Sequence, residues 1–334
     1  MRLFVIRYGA IGDMVFMTPL LKHLKAIGHE VYLNTSETGM EVLRNCPYVD
    51  KFVPYVSNSV PAEQLDVFWE SQRKLYECDK ILNMCESIEV ALSMHPSTPA
   101  YNLPKQERLK LCNKNYYDYE FEFANKQEPS IQCLKGQLPE LYFTPQEEDY
   151  ISKVAAEFRK KTPRLILWAL TGSGRNKTYP YYHFIVKELL DKYPDLGVIT
   201  VGDVSCKIME YGVDSDRIYK RSGMFKIRES LLFTKYVDLV IAPDTGVLHG
   251  SGCYDTAKIG LLGHVSLENT TKYYKNNYSL EANVPCSPCN RLIFDATLQC
   301  PTEPIFGACY CMGIGLSKER VQARIEEVLN VKKS

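Results

Sequence analysis

The octapeptide RYGAIGDM, residues 7–14, lies between two apolar stretches of unequal length. Residues 3–6 form a short apolar run before it, and residues 14–24 form a longer, mostly apolar segment after it. A short run, two glycines and a longer segment are typical of a β-strand, a tight loop and an α-helix. The glycines at positions 9 and 12 let a ligand approach the backbone of such a loop. The loop is therefore a candidate binding site, yet it ends in the acidic residue Asp13, which is unexpected in a loop that cradles phosphate.

Asp13 has two interpretations. Aspartate is among the best helix N-cap residues, worth about 1 kcal/mol, and its carboxylate complements the helix dipole. A cap alone does not need two glycines, so the alternative is a general base at the edge of a cleft. The spacing Gly-x-x-Gly-Asp is also not the GxGxxG fingerprint of dinucleotide-binding proteins, and this disfavours an NAD-dependent dehydrogenase.

Strand and helix candidates alternate in both halves of the chain, which predicts an α/β fold with parallel sheets and right-handed crossovers. The predicted strands are 3–7, 30–34, 51–54, 80–84, 165–169, 198–201, 217–219, 239–242 and 258–262. The predicted helices are 14–25, 40–45, 63–77, 146–161, 182–192, 206–211, 227–236 and 318–329. We expect two doubly wound domains, residues 1–160 and 161–334, with a ligand cleft at the carboxyl ends of their strands.

The middle of the chain breaks this alternation. Residues 96–145 are rich in Pro, Asn, Lys and Tyr, with NKNYYDYEFEF at 113–123. Tyr119, Phe121 and Phe123 alternate with glutamates, which predicts an edge strand. The aromatic cluster is interpreted as core packing or as a platform on which a sugar stacks, and the sequence leaves both open.

Composition restricts the class of protein. The 334 residues contain 40 basic and 40 acidic side chains, so the formal net charge is zero. This argues against a broad electrostatic nucleic-acid binder. We expect no signal peptide in the first residues, and no segment approaches the roughly 20 apolar residues that span a bilayer. We expect a soluble, cytoplasmic protein.

Two loops of the second half carry polar groups that suit an anionic ligand. LVIAPDTGVLHGSG, 239–252, predicts a strand, a turn at Asp244-Thr245-Gly246 and a helix start with His249 on its first turn. Backbone N–H groups at a helix start bind anions. TGSGRNKTYP, 171–180, combines glycines and hydroxyls with Arg175 and Lys177, as in a diphosphate nest. A capped helix and a solvated loop are the alternatives.

Five of the twelve cysteines fall between residues 286 and 311. Their spacing is typical of a structural zinc or iron site, for which we choose Cys286, Cys289, Cys300 and Cys311 as ligands. Cys309 is an alternative to either of the last two. Reduced packing cysteines or a disulfide are the competing interpretations. We expect such a metal site to lie far from the chemistry.

The motifs together resemble glycosyltransferase family nine, the ADP-heptose:lipopolysaccharide heptosyltransferases. The resemblance is carried by RYGAIGDMVFMTP at 7–19, KTYP at 177–180 with Tyr179 where the family usually has Trp, and DTGVLH at 244–249. Gly263, CSPC at 286–289 and the pair Cys311-Met312 extend it, and related protein heptosyltransferases carry a similar cysteine finger. The match is clear over 1–55 and 164–334 and weak over 86–160.

The resemblance implies a GT-B fold, with an acceptor-binding N-terminal domain and a donor-binding C-terminal domain that includes the cysteine-rich segment 286–312 and the final helix. It implies an inverting transfer of a heptose or similar sugar, with Asp13 as base and Lys177 as the catalytic cation, and no catalytic cofactor. The implied acceptor-binding residues are Gly9, Ala10 and Gly12. The implied donor-binding residues are Thr171, Ser173, Arg175, Lys177, Asp203, Asp244, Thr245, Gly246 and His249.

The resemblance also implies the partners. The donor is a nucleotide-diphosphate sugar, with ADP-heptose favoured, and the acceptor is a lipopolysaccharide core or another surface glycan. Two alternatives remain: the same chemistry on a protein side chain or a modified DNA base, and a sugar-nucleotide binding protein without activity. Neutral net charge disfavours DNA.

Overall fold

The computed structural model describes residues 1–56, 58–92, 95–292, 300, 302 and 308–331. Two separate parallel sheets organise this part of the chain. Within it, no helix is both long enough and apolar enough to cross a membrane.

The first sheet has the strand order β3-β2-β1-β4. Its strands are β1 (Arg2–Ile6), β2 (Glu30–Ser36), β3 (Lys51–Tyr55) and β4 (Lys80–Asn83), and its helices are α1 (Ile11–Ala26), α2 (Glu37–Val42) and α3 (Leu65–Leu75). The apolar residues 3–6 of β1 are fully buried because helices cover the faces of a parallel sheet. β1 is central, and Ile6 pairs with Asn34 on one side and with Asn83 on the other. The loop after Ile6 therefore begins in the middle of the carboxyl edge of this sheet.

The second sheet has the order β10-β9-β8-β5-β6-β7. Its strands are β5 (Arg164–Ala169), β6 (Leu196–Val201), β7 (Ile218–Lys220), β8 (Leu239–Pro243), β9 (Ala257–Leu262) and β10 (Leu280–Glu281). The helices are α7 (Tyr182–Lys192), α8 (Ile227–Phe233), α9 (Gly246–Ser251) and α10 (Lys318–Val331). β5 and β8 are neighbours at its centre, so the loops that follow them lie side by side.

Three helices connect the sheets: α4 (Lys105–Cys112), α5 (Tyr116–Gln127) and α6 (Pro145–Lys161). The predicted edge strand at 119–123 is wrong, because these residues belong to α5. The Asn115 side chain accepts hydrogen bonds from the N–H groups of Tyr117 and Asp118 and starts the helix. Tyr117 and Phe121, four residues apart, are both buried, so the aromatic cluster packs a core and is not a sugar platform.

Arg228 of α8 joins the two halves. Its guanidinium binds the carboxylate of Glu147 at 2.6 Å and 2.9 Å, and it donates to the carbonyl oxygens of Val42, Arg44 and Tyr142. The side chain is only 2% exposed. One buried cation thus satisfies backbone groups of the first half from an element of the second.

Candidate active site

Three loops meet where the two sheets face each other, and glycines allow the contact. A Cβ at Gly12 would lie 2.9 Å from the His249 ring, and one at Gly246 would collide with the Ile11 side chain. A Cβ at Gly172 would lie 2.7 Å from Lys177 and 2.8 Å from Thr245. The starts of α1 and α9 therefore touch, and the loop after β5 packs on the loop after β8.

Asp13 lies on the first turn of α1. Its Oδ2 accepts a hydrogen bond of 2.7 Å from the backbone N–H of Ala10, so the carboxylate supports the helix start from inside the first turn. Gly9, at φ +152°, brings the loop so close that a Cβ there would lie 2.7 Å from the same oxygen. Asp13 Oδ1 lies 3.2 Å from Nη2 of Arg7, and the Asp13 side chain is 15% exposed. The carboxylate is thus fixed in place and still reachable.

Three carboxylates surround the fully buried guanidinium of Arg7. Besides Asp13, Glu89 accepts two hydrogen bonds at 2.9 Å and 3.0 Å, and Glu120 lies 4.0 Å from Nη2. Glu120 is buried and accepts a hydrogen bond of 2.9 Å from Ser87. We call Arg7, Asp13, Glu89 and Glu120 the acidic cluster.

One guanidinium faces three carboxyl groups, of which Glu120 is fully buried and Asp13 and Glu89 are 15% and 28% exposed. Burial, with the nearby Glu89 charge, raises the pKa of Asp13 to about 7 even though Arg7 opposes the shift. Burial also raises the pKa of Glu120 to about 8. Although burial acts in the opposite direction, the charges of Glu89, Asp13 and Glu120 raise the pKa of Arg7 well above its usual range. A carboxyl with a pKa near neutrality is suited to accept a proton in catalysis.

Asp244, the first residue after β8, has the opposite surroundings. Its Oδ1 lies 2.9 Å from Nε2 of His249, and its Oδ2 lies 3.3 Å from Nε2 of His264 and 3.2 Å from Nζ of Lys177. Although burial alone would raise it, the Lys177 charge and the two imidazole hydrogen bonds hold the pKa of Asp244 well below its usual range. Burial lowers the pKa of His264. We call Asp244, Lys177, His249 and His264 the donor cluster, because the sequence analysis predicts that the first three bind the sugar donor.

The other predicted site residues lie on the loops that follow β5, β6 and β8. Thr171 shares a hydrogen bond of 2.7 Å with Thr178 beside Lys177, and Ser173 and Arg175 lie on the same loop. Thr245 begins α9, which has only six residues. Asp203 accepts hydrogen bonds from Ser205 and the N–H of Cys206, so its side chain is committed to capping the turn at 204–212.

Sequence reasoning missed Arg7, Glu89, Glu120 and His264 as members of these clusters. Arg7 was visible in the octapeptide, and His264 directly follows Gly263, the first residue after β9. Glu89 and Glu120 carry no local motif, since folding alone brings them to Arg7 from 82 and 113 residues away.

The four predicted metal ligands, Cys286, Cys289, Cys300 and Cys311, line one cavity of about 190 Å³. Burial and the neighbouring thiols raise the pKa of Cys311 above its usual range. Within the described ranges, however, no three His, Cys, Asp or Glu side chains are arranged to hold a metal ion. His264 also lines the cavity, and it contacts Asp244. The expectation that the cysteines lie far from the chemistry is therefore wrong.

Comparison with known proteins gives the following similarities. No family model matches the chain. Lipopolysaccharide heptosyltransferase 1 from Campylobacter coli is 19% identical over 310 residues, which cover 85% of this chain and 88% of that protein. The structure of ADP-heptose lipopolysaccharide heptosyltransferase II from Escherichia coli has a TM-score of 0.68 at 14% identity, and the match covers 100% of both chains.

Two further structures extend the comparison. A glycosyl transferase family 9 protein from Veillonella parvula has a TM-score of 0.68 at 13% identity, covering 99% of this chain and 97% of its own. The iron-containing dodecameric glycosyltransferase TibC from enterotoxigenic E. coli has a TM-score of 0.59 at 11% identity, covering 100% of this chain and 80% of its own. These proteins are glycosyltransferases. The resemblance to family nine and the GT-B fold of two parallel-sheet α/β domains are thereby confirmed.

Proposed function

We propose that the protein transfers a sugar from a nucleotide-diphosphate donor, with ADP-heptose favoured, to a hydroxyl group of a glycan acceptor. The acceptor oxygen attacks the anomeric carbon, and Asp13 takes the hydroxyl proton. The bond from that carbon to the phosphate oxygen breaks, and the nucleoside diphosphate leaves with the electron pair. Attack from the face opposite the leaving group inverts the anomeric configuration.

The observation that carries this proposal is the Asp13 carboxyl. It is fixed by Ala10 and Arg7, it is partly accessible, and its pKa is raised to about 7. A base with this pKa is largely ionised at pH 8 and still basic enough to accept the proton. The contact between the starts of α1 and α9 holds it beside the donor cluster.

Lys177 is the group proposed to stabilise the leaving diphosphate. Its ammonium is held at 3.2 Å from Asp244, on a loop packed against Thr245. Charge develops on the phosphate oxygens as the bond breaks, and a fixed cation there lowers the barrier. The backbone N–H groups at Thr245 and Gly246 would bind the same oxygens. Asp244 would orient Lys177 and accept hydrogen bonds from sugar hydroxyls.

The first test is thermal-shift binding of ADP, UDP, GDP and CDP and of their sugars. We expect one nucleotide to raise the melting temperature and one of its sugars to raise it further. Asp244→Asn should abolish the additional, sugar-dependent shift. Asp255→Asn, a side chain 73% exposed on the same half, is the control and should leave both shifts intact. No shift with any nucleotide would overturn the proposal.

Transfer is tested next with the identified donor and candidate acceptors. Labelled sugar should appear on lipopolysaccharide core or another glycan hydroxyl in the presence of the wild type and not of Asp13→Asn. If the label appears on a protein side chain or a modified DNA base, the proposed transfer reaction stands and the proposed acceptor is wrong. Donor binding without transfer to any acceptor would indicate a binding protein. The cytoplasmic location stays a prediction from the sequence.

The structural metal is a separate prediction. The four thiols share one cavity but, among the residues that the structure describes, are not arranged as a coordination group, so no reaction step is assigned to a metal. Elemental analysis of the purified protein should find zinc or iron at about one equivalent if the cysteines bind metal. Cys286→Ser with Cys289→Ser should lose it, whereas Cys133→Ser, an exposed cysteine of the first half, should retain it.

A further inference from the structure

A chain of buried hydroxyl and imidazole groups runs from the first half of the molecule to Asp244. The hydroxyl of Tyr117 in α5 lies 2.6 Å from the hydroxyl of Tyr274. The Tyr274 hydroxyl lies 3.0 Å from Nδ1 of His249, whose Nε2 lies 2.9 Å from Asp244. Every member is buried, and Phe16 of α1 packs on both the His249 and the Tyr117 rings.

The hydrogen bond between His249 and Asp244 requires the proton of His249 to be on Nε2. Asp244 is ionised, because Lys177 and the imidazoles hold its pKa well below the usual range, and a carboxylate only accepts. Nε2 must therefore donate. A neutral imidazole that carries its proton on Nε2 has a lone pair on Nδ1, and that lone pair faces the hydroxyl of Tyr274.

Tyr274 and Tyr117 determine whether Nδ1 of His249 carries a proton. Burial raises the pKa of both phenols well above the usual range, so both keep a proton to donate. If Nδ1 accepts from Tyr274, then Tyr274 accepts from Tyr117, and both hydroxyl protons are used. If Nδ1 carried a proton, the chain would reverse and the Tyr117 proton would have no acceptor among the described residues. A buried donor without an acceptor costs free energy, so the first arrangement is favoured.

We propose that Tyr274 and Tyr117 are positioning residues that hold His249 as the neutral Nε2–H tautomer and thereby orient the carboxylate of Asp244. This inference rests on the proposed function only in assigning Asp244 to the donor sugar. The first half of the molecule, through α5, thus contributes to the donor site from a region in which the sequence shows no family motif.

The tautomer is measured directly by 15N NMR of histidine-labelled protein. The chain has six histidines, and His249→Gln assigns the signals of His249 by their loss. We expect wild-type Nε2 to be protonated and Nδ1 to be unprotonated and hydrogen-bonded at about pH 7. A wild-type His249 protonated on Nδ1, or on both nitrogens, would overturn the proposal without any variant.

Variants test the consequence for the donor. Tyr274→Phe removes only the hydroxyl, so Nδ1 should lose its hydrogen-bonded signal. The affinity for the nucleotide-sugar should fall about 3- to 10-fold relative to the nucleotide alone, as expected for one hydrogen bond. Tyr117→Phe, which keeps the Tyr274–His249 bond, should have a smaller effect in the same direction.

Tyr273→Phe is the matched control. Its hydroxyl bonds to Asp118, also on α5, at 2.7 Å, and not to His249. It should change neither the His249 signals nor the affinity ratio. Unchanged signals and ratio in Tyr274→Phe would overturn the proposal. If no nucleotide binds even the wild type, the proposed function fails, and the NMR measurement still decides the tautomer.

Discussion

The acidic cluster and the donor cluster each contain a buried carboxyl group, yet the pKa values of these groups shift in opposite directions. Around Arg7, three carboxylates share one guanidinium, and the pKa values of Asp13 and Glu120 rise. Asp244 is one carboxylate among an ammonium and two imidazoles, and its pKa falls. Burial disfavours the charged form of all three acids, so the difference comes from the groups that face each one. Lys177 and the two imidazole hydrogen bonds outweigh burial at Asp244, whereas the groups around Arg7 do not outweigh it at Asp13 and Glu120.

The largest effect is expected from Asp13→Asn, which removes the exchanging acid and keeps its shape. The rate of sugar transfer should fall by about 10²–10⁴, because the variant lacks the proposed general base. Donor affinity should stay close to that of the wild type, since Asp13 is proposed to act on the acceptor hydroxyl. Steady-state kinetics and calorimetric donor binding measure the two quantities.

Asp66→Asn is the control, an exposed acid in the first turn of α3, and should retain full activity.

In the wild type the rate should fall about tenfold per pH unit below about pH 7, because Asp13 becomes protonated. Wild-type activity in Asp13→Asn would remove Asp13 from the mechanism.

Lys177→Gln tests the donor cluster. It removes the charge that we propose stabilises the leaving diphosphate, so the rate should fall by about 10²–10³. Nucleotide affinity should fall as well, in contrast to Asp13→Asn. Lys187→Gln, an exposed lysine of α7, should change neither. Equal donor affinity in Lys177→Gln and the wild type would show that Lys177 does not face the diphosphate.

Glu120→Gln tests the raised pKa in the acidic cluster through the pH dependence of the free energy of unfolding. The unfolded carboxyl releases its proton near pH 4.5, whereas the folded one keeps it to about pH 8. The folded state binds the extra proton between these values, so wild-type stability should fall with rising pH by about 1.4 kcal/mol per unit from this group. The Gln variant lacks this contribution. Urea unfolding at several pH values between these two limits measures the difference between the two slopes.

Glu122→Gln is the control on the same helix, since Glu122 is 30% exposed and paired with Lys114. It should follow the wild-type slope. Parallel slopes for Glu120→Gln and the wild type would mean that Glu120 is ionised in the folded protein, and the acidic cluster would then differ less from the donor cluster.

The smallest effect is expected at the contact between the clusters. Gly246→Ala places a methyl group against Ile11 and should cost about 1–3 kcal/mol of unfolding free energy. Ile11→Ala should recover part of this loss, which a double-mutant cycle measures. Strictly additive losses would show that α1 and α9 do not press on each other.

The strands were predicted well from the sequence because a buried parallel strand has a simple pattern. Residues 3–6 and 239–243 are apolar throughout, and their strands lie where expected. The loops after them were found from glycines and polar residues at strand ends. α7 was predicted with the bounds Tyr182–Lys192 that it has.

The secondary structure of the middle region, residues 96–145, was harder to predict for a physical reason. Tyr119, Phe121 and Phe123 alternate like a strand, but Tyr117 and Phe121 also fit a helix, and the Asn115 cap decides between them. The acidic cluster was missed because its charge balance exists only after folding. Glu120 is 113 residues from Arg7 in the sequence, and nothing in the residues around it indicates that the folded chain places it beside that guanidinium. The donor cluster was found in part because Asp244 and His249 lie on one short motif.

Arg228 restricts how the N-terminal and C-terminal halves can be exchanged between related enzymes. Its guanidinium is saturated by Glu147 and by backbone carbonyl groups of the first half. A chimaera joined near residue 160 would inherit this cation from one parent and its acceptors from the other. Without a glutamate at 147 the charge would be buried and unpaired, which is strongly destabilising. Recombination of N-terminal and C-terminal halves would therefore have to carry position 147 and position 228 together.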